Sequence, residues 1–276
     1  MSSTLHRERL EDVAFRAGYA AVLAFLLLPL VVVVVTSFSK AGRIAFPPES
    51  YSLVWYGEFL QSARWIGAFV NSLVVGVGTA LLATLLGVLG AFGQELEADA
   101  GGDGIVGAVL VPIVLLPLLV PPVILGITLL LYFNEVGLRG SYTSIVLAHT
   151  LWATPLVYFV MRSVFSRFDW QQLDAAHDLG AGPVRSFVHV VLPNVKHGIF
   201  VGGLLAFIIS LQEFVMALFL STPSTETIPV LAWTEIRQAL DPMVSVVSTF
   251  LIVISVAAIA LAALVTNLEW VSRQLS

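Results

Sequence analysis

The chain has 276 residues, 58% of them hydrophobic and only 11% charged, with a net charge of −5 and a mean hydropathy of +0.95. A soluble domain carries about 25% charged residues, so a soluble globular fold is excluded and a polytopic, all-α membrane protein is expected. Lysine occurs only at Lys40 and Lys196, with no basic stripe, which argues against a nucleic-acid partner; the lack of cysteine excludes disulfides, iron–sulfur clusters and thiol catalysis.

In chain order, the polar, charged N-terminus through Arg16 leads into a long apolar run. A secretory apolar core spans about 7–15 residues before a small-residue cleavage site. This run is longer, and it reads as a retained anchor. A membrane span needs about 20 mostly apolar residues, and six segments qualify: 13–37, 66–93, 105–133, 142–164, 195–220 and 244–268. The third holds Pro112, Pro117, Pro121 and Pro122, each of which removes an internal hydrogen bond. Breaks of this kind survive in a bilayer where neighbours or water satisfy the freed carbonyls. A kinked packing helix and a pathway-lining one both fit. Gly198 and Gly202 form a GxxxG at the start of the fifth span, a packing motif for close helix approach.

An even number of spans places both termini on one side. Lys and Arg concentrate on the cytoplasmic side of membrane proteins. With the N-terminus inside, Arg7, Arg9, Arg16, Arg162, Arg167, Arg185, Lys196 and Arg273 face the cytoplasm, eight of the 13 cations, while Lys40, Arg43, Arg64, Arg139 and Arg237 face out. The acidic inner segment 94–104 weakens the bias. N-in, C-in topology is expected. The domain plan is a cytoplasmic segment 1–12, a six-span domain 13–268 with a cytoplasmic loop at about 166–194, and a tail 269–276.

That loop is the most informative part of the chain. Asp169 followed by Gln172 reads as a capping-box variant opening a helix to about Leu179. Gly180 supplies the left-handed residue that ends it. Gly182-Pro183 opens a second helix, and Pro193 is expected to stop that one, because the residue before a proline is pushed to extended geometry. Two short helices at a sharp angle make a stiff elbow, able to pass a push into the flanking spans. Small residues at Ala175 and Ala176 let it sit closely in a partner's groove, with Asp174 at the rim. On composition alone, an amphipathic hairpin lying on the bilayer also fits.

The run Asp174-Ala-Ala-His-Asp-Leu-Gly180, closing on Val190-Val-Leu192-Pro193, resembles the cytoplasmic coupling loop of ABC importer permeases. That family's pattern begins Glu-Ala-Ala, places Gly six residues after the Glu and ends Ile-x-Leu-Pro; here Asp replaces Glu and Val replaces Ile. The likeness extends to Asn71-Ser72, to the run from Gly202 through Leu211-Gln-Glu213 to Thr227-Ile-Pro-Val230, and to the outer segment 46–56, covering about residues 13–270. Within the family these stretches look most like the spermidine/putrescine-type branch, which includes iron, thiamine and phosphonate importers. The resemblance implies a type I ABC importer permease fold with six transmembrane helices in the inner cell membrane. It assigns ATPase coupling to Asp174, Ala175, Ala176, Gly180, Leu192 and Pro193. It implies as partners two ABC ATPase subunits, a second permease (homologous or identical), an extracytoplasmic solute-binding protein and a small solute such as a polyamine.

The chain itself offers no motor. A phosphate-cradling loop needs G-x-x-x-x-G-K-[ST], and Lys40 is followed by Ala41, Lys196 by His197. ATP is therefore expected on a separate polypeptide, with no cofactor, metal or catalytic residue in this chain. Within the spans, Glu213 beside Gln212 lies at bilayer depth, where a carboxylate costs about 2.5–3.5 kcal/mol on insertion scales. Glu213 reads as a contact for a cationic substrate or as a structural carboxylate. His149, near Trp152, reads as a pathway or proton-carrying residue or as a packed, hydrogen-bonded one. Together they leave an ion-coupled secondary transporter using Glu213 and His149 as the alternative. His177, His189 and His197 lack zinc spacing. Trp65, Trp233 and Trp270 fit interfacial anchoring, and Tyr51, Trp55 and Tyr56 are candidate contacts for an outer binding protein.

Overall fold

A computed structural model describes residues 2–99, 101, 104–238 and 242–275, with side chains described over 12–98, 101, 104, 107–238 and 242–266. Arg7, Arg9, Arg273 and Trp270 lie outside the described side chains. The elements are all helical: α1 (Ser2–Thr36), α2 (Val54–Gln61), α3 (Ala63–Asp99), α4 (Ile105–Leu119), α5 (Pro122–Glu135), α6 (Tyr142–Phe165), α7 (Gln171–Asp178), α8 (Pro183–Ser186), a π-helical turn (Phe187–Val191), α9 (Leu192–Gln212), α10 (Val215–Leu220), α11 (Ile228–Ile236) and α12 (Met243–Leu275). With no water at bilayer depth to satisfy a strand's backbone, an apolar sequence of this kind closes its hydrogen bonds within helices.

Among the described residues, five helical stretches are long and apolar enough to cross a membrane, and α4 with α5 forms a sixth as a pair bent by 98°. The expected third span is thus not one kinked helix. Val120 (ψ 129°) and Pro121 (ψ 133°) are both extended, because each precedes a proline that disfavours helical geometry. Pro112 and Pro117 stay inside α4. The fifth span is also interrupted: α9 ends at Gln212, Glu213 is extended (ψ 121°), and α10 restarts at Val215.

The chain divides into two compact units. One comprises residues 1–62 and 234–253. In it Thr36 donates to Ser245 Oγ (3.1 Å), the Ser37 and Tyr56 hydroxyls are 2.8 Å apart, and Phe250 packs on Tyr56 and Phe59 with ring centroids 5.8 and 5.0 Å away. Tyr56 is therefore a packing residue, whereas Tyr51 is exposed. The second unit comprises residues 63–233 and 254–276. Its core is α3, α6 and α9, with Ala83, Ala91, Ala153, Val157, Met161 and Ala206 fully buried between them. Trp65 at the start of α3 is buried rather than interfacial, while Trp233 is 44% exposed beside Phe214.

The GxxxG works as expected. A Cβ on Gly198 would sit 2.5 Å from Val164 Cγ2, and one on Gly202 3.2 Å from Val157 Cγ1, so α9 lies directly on α6. Replacing Gly198 with Ile should overpack this seam at a cost of about 1–3 kcal/mol. The expected result is a lower melting temperature for the detergent-solubilised chain; an unchanged melt would show that α9 can slide away without loss.

Candidate functional site

The loop between α6 and α9 is built from local chemistry outward. Asp169 Oδ1 accepts the Gln171 backbone N–H at 3.2 Å, which starts α7. The Gln172 amide does not return to Asp169 as a capping box requires; its Oε1 accepts from Asn194 Nδ2 at 3.4 Å instead. At the other end Gly180 takes φ +82°. Its N–H donates to the His177 carbonyl (2.8 Å) and the Ala181 N–H to the Ala176 carbonyl (3.0 Å), the paired bonds of a Schellman ending.

Pro183 occupies the first turn of α8 as expected, but Pro193 does not stop a helix. The backbone continues from Pro183 to Gln212 as a single membrane-length helix interrupted by the π-helical turn. Pro193 falls in the first turn of the renewed α-helix. The wider π turn lets the chain pass a residue that lacks an N–H without the clash an interior proline makes. The second arm of the elbow is thus the end of a span, not a separate helix.

What holds the elbow is an aromatic cluster. Trp170 stacks on Phe92 of α3 (centroids 6.1 Å) and meets Phe168 edge-on (5.1 Å), while Phe92 contacts Phe165 (5.8 Å) and Phe187 (4.9 Å). Aromatic pairs at these separations add about 0.5–1.5 kcal/mol each beyond burial. Leu173, Val191 and Val195 are buried in the same core. The elbow is tied to both neighbouring spans.

Of the residues expected to couple, Asp174, Ala175, Gly180 and Pro193 are exposed, and Ala176 and Leu192 are half-buried. The structure brings Asp174, Ala175 and Gly180 onto the outer end of the elbow and leaves Leu192 and Pro193 at its root. Sequence reasoning missed the tip's main feature. Leu179 is 90% exposed and Val184 78% exposed, apolar side chains in an otherwise polar loop. Their signal was available, since they bracket the Gly180-Ala-Gly-Pro183 turn.

At membrane depth a polar network links α3, α6 and the α9–α10 break. His149 of α6 is fully buried, with Nδ1 2.8 Å from Ser210 Oγ and Nε2 3.1 Å from Glu213 Oε2. Ser210 donates in turn to Thr79 Oγ1 at 3.3 Å. Glu213 Oε1 accepts the Met216 N–H (2.9 Å) and Oε2 the Ala217 N–H (3.1 Å). Both oxygens therefore cap the N-terminus of α10, and Glu213 is only 9% exposed. Both carboxylate oxygens accept bonds within the chain, the arrangement that the structural reading of Glu213 calls for. Gln212 is exposed, with Nε2 3.4 Å from Ser255 Oγ of α12. Of the three expected path residues, only Gln212 turns to an open face. Groups of His, Asp and Glu able to hold a metal ion are absent among the described residues.

Toward the other end of the second unit, Asn71 Nδ2 donates to the carbonyls of Ser224 (3.1 Å) and Glu226 (2.9 Å), and Asn71 Oδ1 accepts from the Tyr142 hydroxyl (2.6 Å). Ser72 Oγ accepts the Ile228 N–H at 2.8 Å. This pair clamps the segment between α10 and α11 onto α3 and α6.

Residues 83–269 match the binding-protein-dependent transport system inner membrane components. The chain belongs to this family. The spermidine/putrescine transport system permease protein PotC of Haemophilus influenzae is 29% identical over 246 residues, covering 89% of this chain and 93% of that protein. The putrescine transport system permease protein PotI of Escherichia coli K12 is 32% identical over 240 residues, 83% of this chain and 82% of its own length. A bacterial ABC transporter involved in import of the acidic polysaccharide alginate superposes with a TM-score of 0.69 at 17% identity, over 94% of this chain and 96% of that one. These findings bear out the resemblance to ABC importer permeases, to the spermidine/putrescine branch among them, and the all-helical permease fold. The permease is a multi-pass inner-membrane transport component.

Proposed function

We propose that this permease forms part of the translocation path of an ATP-driven importer for polyamines or a similar small solute, with its elbow docked on a separate ATPase. The observation that carries the coupling role is the exposed Leu179–Val184 pair on a tip whose base is fixed by the Phe92–Trp170 cluster. An apolar pair that stays open to water on a rigid arm is suited to a partner's groove. Asp174, Ala175, Ala176 and Gly180 shape that tip; Leu192 and Pro193 join it to α9. In this reading both termini and the elbow lie in the cytoplasm, an extracytoplasmic binding protein delivers the solute, and a second permease completes the path.

The polyamine assignment rests on the relatives named PotC and PotI. Glu213 braces the α9–α10 break, and Gln212 is this chain's contribution to the path. A proton relay through Glu213 and His149 is disfavoured, since each group is closed off by partners within the fold. The test is co-purification: a tagged chain should capture an ATPase subunit, and uptake in reconstituted vesicles should require ATP. Uptake that continues without nucleotide would overturn the proposal.

Gly180→Ala should separate elbow shape from elbow presence. The residue sits at φ +82°, where a side chain costs about 1–2 kcal/mol. The chain should still fold and insert, while capture of the ATPase falls; full capture would show that the left-handed turn is not part of the docking geometry.

A further inference from the structure

Beside the root of the elbow, a cavity of about 560 Å³ opens between α6, α9 and the distal part of α12. It has two chemically distinct walls. Val160 and Val164 of α6 and Val201 of α9 line the side toward the middle of the spans. Arg167, Gln172, Asn194 and His197 line the side toward the elbow. The acidic residue on this wall, Asp169, already has Oδ1 committed to the Gln171 N–H. Among the described residues, no carboxylate lies within ion-pair distance of the exposed Arg167 guanidinium. A cation is thus held at the mouth of a roomy cleft whose floor is aliphatic.

A donor-rich rim over an apolar floor, placed where spans leave the bilayer, suits an amphiphile and not a free ion. Basic pockets between transmembrane helices on the cytoplasmic side bind anionic headgroups, and a guanidinium matches a phosphate's geometry with paired N–H donors. We propose that this cavity holds the phosphate of an anionic phospholipid of the inner leaflet, with Arg167 as its main ligand and an acyl chain against Val160, Val164 and Val201. The proposal rests on the cytoplasmic placement of the elbow. Because Asp169 and Gln172 border both the cavity and α7, a bound lipid touches the base of the arm that meets the ATPase.

The experiment uses the purified full-length chain, titrated with phosphatidylglycerol or phosphatidylcholine and read by native mass spectrometry. Phosphatidylglycerol should be retained in preference to phosphatidylcholine. Arg167→Gln should weaken that retention about tenfold or more, the loss of a charge-assisted contact, while Arg185→Gln, on the exposed part of the elbow, should not. Thr266→Trp, which narrows the cavity from α12 with Arg167 intact, should also weaken it. Equal retention of the two lipids, or equal loss in the two arginine variants, overturns the proposal. Inorganic phosphate binding at Arg167 with no lipid retained would assign the cation to a soluble anion and overturn the lipid source. ATPase capture is scored separately: lipid loss with capture intact in wild-type protein refutes this site alone, and lost capture with lipid retained refutes the coupling role alone.

Discussion

Leu179→Asp is expected to abolish capture of the ATPase subunit while leaving the chain folded and inserted. Leu179 is 90% exposed, so its side chain contributes little to packing within the chain. If its side chain is buried by the partner, that burial supplies about 1.5–3 kcal/mol. Placing a carboxylate in the same groove adds a desolvation cost, so the combined change corresponds to a loss of about 100-fold or more in affinity. Val184→Asp should act in the same direction, and the double variant should add little once docking is lost. The measurement is the ratio of ATPase to tagged permease after purification, alongside a melt that verifies the fold. Stoichiometric ATPase on the Leu179→Asp chain would remove the tip from the interface.

Glu213→Ala is expected to produce the largest loss of stability of any single change in the spans. The substitution leaves the Met216 and Ala217 N–H groups without their acceptor and His149 Nε2 without its partner, all at bilayer depth. Removing one member of a buried pair costs about 3–5 kcal/mol. His149→Ala should cost less, since Glu213 keeps its bonds to α10. The double variant should be less destabilised than the sum of the two, because the first loss already dissolves the network. Thermal unfolding of the four proteins gives the coupling directly. Additive losses would mean that the two side chains do not act as a pair. A Glu213→Gln chain that folds fully yet loses selectivity between charged and neutral solutes would restore Glu213 to the path.

These two sites differ in how legible they were. The elbow was readable because its grammar is local. A glycine six residues after Asp174 and a proline after Gly182 dictate turns through φ alone, whatever surrounds them, and Gly180 at φ +82° and Pro183 in a first helical turn follow. The arrest assigned to Pro193 failed, because a π turn supplied by the neighbouring residues absorbed the proline. The third span lies where the sequence placed it, but its geometry was only half legible. Two successive prolines at Pro121 and Pro122 made extended geometry certain at one point, but the 98° size of the bend depends on what α5 packs against.

Composition and period alone determined that this is an all-helical chain for the bilayer, where its spans fall, and where its polar arm sits. Apolar length and backbone self-sufficiency leave no other solution in hydrocarbon. Only tertiary structure decided which polar groups are free. Glu213 and Gln212 are adjacent in sequence and equally improbable in a membrane, yet one is closed inside by Ser210, His149 and the start of α10, and the other faces out. The bonds of Glu213 to the start of α10 are local, three and four residues on, but the relay that seats His149 against it joins Ser210 to partners 61 and 131 residues away, which no local pattern encodes.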